Sequence, residues 1–162
     1  MKNNAVVFLT LLCLAAAVKK RREKIAEVDV MKKEDFEDFS KSLKRQNVIQ
    51  KAIDEAKESG DQEKMFENYK KMFDEEKFRL NIAKKGMIIK KVNTPSNEHY
   101  KLIESTLTFI EKMNLGPDVN IGTRYNEVNE MLVRLKKLSI KLMGLTFYNR
   151  LLKSAQDTRL KG

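Results

Sequence analysis

The sequence predicts an all-α protein: an N-terminal apolar helix followed by a bundle of about four to five helices with coiled-coil-like hairpins. Three observations carry that expectation. Only 6 glycines and 2 prolines interrupt 162 residues, apolar side chains recur at three- and four-residue intervals, and no stretch sustains the apolar/polar alternation of a half-buried strand.

The first element is the uncharged run at residues 5–18 (AVVFLTLLCLAAAV), which ends abruptly in Lys19, Lys20, Arg21 and Arg22. As a cleaved secretory signal it has a basic Lys2 start and small residues Ala15-Ala16-Ala17 in the cleavage pattern. Its helical length of roughly 21 Å falls short of the roughly 30 Å hydrocarbon core. Charge argues the other way, because a cation cluster directly after an apolar run stays on the cytoplasmic or matrix-like face. Asn3 and Asn4 extend the span into the headgroups, and Lys19 and Lys20 can snorkel. The preferred reading is a retained anchor, with a cleaved signal and a buried core helix as alternatives. The chain therefore divides into residues 1–18, membrane anchor or signal, and residues 19–162, a basic helical bundle domain long enough to bury a core.

Helical patterning continues through the domain. A helix over 19–30 follows directly from the apolar run. A second, over 33–59, places Phe36, Phe39, Leu43, Ile49, Ile53 and Ala56 at helical spacing, and Ser59-Gly60-Asp61 closes it with a left-handed cap that starts the next helix. The third, over 62–85, contains a seven-residue near-duplication, KMFENYK then KMFDEEK. Phe66, Tyr69, Phe73, Leu80, Ala83 and Met87 share one seam, interrupted only by Glu76. Gly86 then precedes Met87-Ile88-Ile89, expected as a frayed turn or a short extended piece. Thr94-Pro95 is expected to open a fourth helix over 96–113 with Ile103, Leu107, Ile110 and Met113 on one face. After the break at Asn114-Leu115-Gly116-Pro117-Asp118, the last helix is expected over 123–155. Its two apolar faces, Val128, Leu132, Leu135, Leu138, Leu142 and Leu145 against Val133, Ile140, Met143, Phe147 and Leu151, make it the expected spine of the bundle.

Charge is uneven. Residues 19–78 carry equal numbers of acidic and basic side chains, so apart from Lys2 the whole of the +10 excess sits in residues 79–162. That field favours acidic protein surfaces or anionic lipids, or simply solvates the bundle. Nucleic acid is disfavoured, because the aromatics occupy core-like positions and no stacking pattern accompanies the basic residues.

Motifs for chemistry are lacking. His99 is the only histidine and Cys13 the only cysteine, too few for a zinc or haem site; His99 is expected to be exposed or capping. No Glu-x-x-His pair, phosphate-binding loop, dinucleotide fingerprint or nucleophile elbow occurs. The carboxylate clusters at 34–38 and 74–76 read as solvent-facing charges that lack the spacing of a calcium loop. The expectation is a non-enzymatic protein without cofactor or metal. The candidate partner-binding residues are Arg134, Lys137 and Lys141, on one basic edge of the last helix, and Met65, Phe66, Met72 and Phe73, on the heptad seam.

A short apolar N-terminus, a basic juxtamembrane cluster and a lysine-rich helical domain resemble, in organisation and not in motif, small accessory subunits of membrane assemblies, including mitochondrial inner-membrane complexes. The resemblance implies a single-pass membrane protein that partners other subunits. The alternative is a secreted helical bundle that binds an apolar ligand or a partner protein.

Overall fold

A computed structural model describes residues 33–89, 93–116, 118–143 and 149, the side chains of Lys33, Phe36, Leu142 and Met143 excepted. The apolar run, the cation cluster after it and the expected helix over 19–30 lie outside these residues. The described chain forms four α-helices and no strand: α1 (Lys33–Ser59), α2 (Gln62–Ile89), α3 (Glu98–Lys112) and α4 (Ile121–Met143).

Each end has a local cause. Glu34 and Asp35 in the first turn of α1 oppose the helix dipole. Its last turn closes in a Schellman motif: Gly60, at φ 71°, donates to the Lys57 carbonyl at 3.3 Å and Asp61 to the Ala56 carbonyl at 2.9 Å. Asp61 then accepts from the Lys64 amide at 3.0 Å, capping α2 with no residue wasted. α2 passes helically through Gly86 to Ile89, four residues beyond the expected end, because Met87 is drawn into the core at 0% exposure.

α3 starts later than expected. The Asn97 amide donates to the Thr94 carbonyl, making residues 94–97 a turn with Pro95 at its second position. Asn97, not Thr94, then caps the helix by accepting from the His99 and Tyr100 amides at 3.0 and 3.1 Å. The Asn120 side chain caps α4 in the same way at Thr123.

Among the described helices α2 is the most widely packed: it lies against α1, α3 and α4, whereas the main contacts of α4 are with α2 and α3. α2 buries two adjacent faces, Tyr69, Phe73, Glu76, Leu80, Ala83 and Met87 on one and Asn68, Met72, Arg79 and Ile82 on the other. Asn68 and Arg79 disguise the second face in the sequence. α4 packs on α2 and α3 through Ile121, Tyr125, Val128, Leu132, Leu135 and Ser139, all buried. Residues 144–155 of the expected long helix, Asn149 aside, lie outside the described chain. One continuous core joins the four helices, with Tyr125 of α4 against Tyr69 and Phe73 of α2 at 5.1 and 6.2 Å between ring centres.

The helices run alternately up and down. At one end, here called proximal, α1 begins and α4 finishes, tied across the bundle by Lys85–Asp35 at 2.7 Å, Lys84–Glu104 at 3.1 Å and the His99–Ser139 contact at 3.5 Å. The distal end carries the α1–α2 turn and the α3–α4 connection.

Candidate functional site

The last helix divides cleanly into a buried row and an exposed one. Thr123, Asn126, Glu130, Arg134, Lys137 and Lys141 form the exposed row, three or four residues apart. It turns basic along its length. Arg134, Lys137 and Lys141 therefore do share an edge, in the proximal half of the bundle, and none pairs with an acid among the described residues.

The heptad-seam candidates separate. Met72 and Phe73 are 0% and 2% exposed and belong to the core, where the chain itself supplies the seam's partner helices. Met65 and Phe66 are half-buried at the distal end. With Leu115, Val119 and Ile121 they floor an open hollow of about 690 Å³, rimmed by Gln62, Glu63, Asp118 and Asn120. A longer groove of about 910 Å³ follows the outer face of α3 past Phe109, Met113 and Met131. Its edges mix charges that are partly spent: Arg124 pairs with Glu127 and Glu104 with Lys84.

Two polar constellations lie inside the fold, and neither is evident from residue spacing. Between α1 and α2, Arg79 is 1% exposed, with Nη2 2.6 Å from Glu76 Oε1 and Nη1 donating to Ser42 Oγ at 2.8 Å. Ser42 donates to Glu75, which also takes Arg45 through Nε and Nη2 at 2.6 and 3.0 Å; Gln46 donates to Glu76 at 3.4 Å. The carboxylates at 75 and 76 are thus turned inward, contrary to the solvent-facing expectation. The only available signal was Glu76, the one charge inside an otherwise apolar seam. Their neighbours are one another: Arg79 and Glu76 pair within α2, and Ser42, Arg45 and Gln46 reach across from α1.

The second is His99, buried at 4% exposure instead of exposed or capping. Burial holds its imidazole below the ordinary histidine range, with Glu98 opposing weakly. Ser139 stands opposite but gives its hydroxyl proton to the Leu135 carbonyl at 2.9 Å. An imidazole facing a committed hydroxyl in a closed interior has the geometry of a packed polar contact. It lacks the open nucleophile–base pairing of covalent catalysis.

Among the described residues, no three His, Cys, Asp or Glu side chains gather as metal ligands, and no helix is long and apolar enough to cross a membrane. No known family model, curated protein or solved structure matches this chain.

Proposed function

We propose that this chain is a membrane-anchored, non-enzymatic helical subunit that joins a larger assembly, held at the bilayer by residues 5–18 and offering its distal end to another protein. The observation that carries the reading is the distal hollow. Met65, Phe66, Leu115 and Val119 remain partly open there beside buried Ile121, at the end of the bundle opposite the one where residues 1–32 join α1. An apolar floor under an acidic rim suits a partner segment with an aliphatic anchor and flanking cations.

The test pairs two measurements on the full chain. Carbonate or high-salt washing of native membranes leaves the protein in the pellet, with an intact mass that includes residues 1–17. Glu63→Lys with Asp118→Lys, both exposed, removes it from the native-gel band of its assembly without changing helical content. An unchanged band discards the distal hollow as the partner surface. A mature chain that begins near Val18 in a soluble luminal fraction favours the secreted alternative, which the alanines at 15–17 support, and leaves the hollow as an apolar-ligand site.

A further inference from the structure

Three observations converge on the proximal end. Ile88 and Ile89, the last two residues of α2, are 48% and 50% exposed, whereas Met87 beside them is fully buried. Arg134, Lys137 and Lys141 occupy the proximal half of the exposed row of α4. The contacts already described set the levels: Lys84 stands beside Glu104, and His99, one and a half turns nearer the end, beside Ser139. Ile88 and Ile89 therefore lie near the level of Ser139, with Lys141 about half a turn beyond. In sequence α2 leads into Lys90-Lys91 with no acid between Lys84 and Lys91. Finally, α1 begins here, so residues 19–32 tie this end to the apolar run. A fully extended chain reaches roughly 3.3–3.6 Å per residue, which keeps the proximal end within roughly 50 Å of wherever that run is held.

We propose that the proximal end docks on an anionic lipid surface, with Ile88 and Ile89 entering the headgroup region and Arg134, Lys137 and Lys141 facing the lipid phosphates and carboxylates. The proposal rests on the membrane-anchor reading. Adjacent aliphatic side chains flanked by lysines suit a boundary that is apolar below and anionic above. A tether raises the local concentration of that boundary, so a contact too weak for a free protein is populated.

The acids at this end shape the geometry. Asp35 is paired with Lys85, Glu104 with Lys84 and Asp38 with Lys41. Glu34 lies on α1 and Glu98 at the start of α3. Their repulsion tips the bundle so that the α4 edge and the end of α2 meet the lipid while the start of α1 is lifted.

The chain contains no tryptophan, so Ile89→Trp in the full-length protein is a unique reporter and Glu55→Trp, exposed near the distal end, its control. The probe is a vesicle of phosphatidylcholine and phosphatidylserine carrying brominated acyl chains. The Ile89→Trp emission is expected to shift to the blue and be quenched; that of Glu55→Trp does neither. Adding Arg134→Glu, Lys137→Glu and Lys141→Glu, or raising salt, reverses the shift while the protein still floats with the vesicles through residues 5–18. Flotation with no quenching overturns the docked end and leaves the anchor standing. Loss of flotation overturns both. Equal quenching on pure phosphatidylcholine overturns the role of charge. Unquenched vesicles together with loss of the assembly band in the triple variant reassigns the cations to an acidic protein and ends the lipid proposal.

Discussion

Arg79 and Glu76 show how a single pair of side chains shapes this fold. Both are buried, at 1% and 2% exposure, and neither has bulk water to repay its lost hydration. Breaking such a pair is costly, whereas replacing it whole by apolar residues is often neutral. Arg79→Met alone is therefore expected to cost about 3–5 kcal/mol, and Arg79→Met with Glu76→Leu to recover most of it, read from denaturant midpoints. His99 supplies a pH signature. Its imidazole is held below the ordinary 6.5 by burial, so the unfolded chain binds more protons than the native one. Stability is fully present above 6.5 and falls as pH drops below it. His99→Gln is expected to flatten that limb of the stability profile; an unchanged slope would assign the loss to other groups. Leu135, at 0% exposure, is expected to cost roughly 2–5 kcal/mol on change to Ala, while exposed Lys137→Ala stays within about 0.5 kcal/mol. Leu142, its expected companion, lies outside the described side chains.

At the scale of elements, the turn between α1 and α2 concentrates the local information. Nothing lies within 4 Å of where a Cβ at Gly60 would stand, so the cost of Gly60→Ala comes from the left-handed backbone alone, roughly 1–2 kcal/mol. The cap at Asn97 accepts two amides, and Asn97→Ala is expected to cost about 1 kcal/mol. Thermal melts of Asn97→Ala against Thr94→Ala test the corrected start of α3; a larger loss at 94 than at 97 would return the cap to Thr94. α1 and α4 are legible from spacing, since Phe39, Leu43, Ile53 and Ala56 in one and Val128, Leu132 and Leu135 in the other are all buried. α2 is legible on one face only. Its heptad seam fills as expected, but its second face includes Asn68 and Arg79, residue types that periodicity assigns to solvent.

For the whole molecule, the sharing of α2 decides cooperativity. Because it contacts α1, α3 and α4, neither hairpin keeps its core when the other opens. Far-ultraviolet circular dichroism and tyrosine fluorescence, to which the core residues Tyr69 and Tyr125 contribute, followed through denaturant in mild detergent, are expected to give one coincident transition. Two separated transitions would mean that the α1–α2 hairpin stands alone. Charge acts at the same scale. If the basic half of the chain steers association with an anionic surface, binding weakens steeply across the physiological salt range, where screening acts over about 8 Å.

The helical class, the hairpin turn at Ser59-Gly60-Asp61, an apolar face of each described helix and the basic edge at Arg134, Lys137 and Lys141 are all legible from residue order. These follow from local causes: spacing, caps and backbone preference act within a turn or two of chain. Packing alone settles which described helix has the most neighbours, that Glu76, Arg79 and His99 lie inside, and that Met72 and Phe73 are covered while Met65 and Phe66 stay partly open. Those outcomes depend on which faces meet, because the buried Glu76–Arg79 pair needs further polar partners that a second helix brings. Ser42 and Gln46 are some thirty residues away from the groups they satisfy.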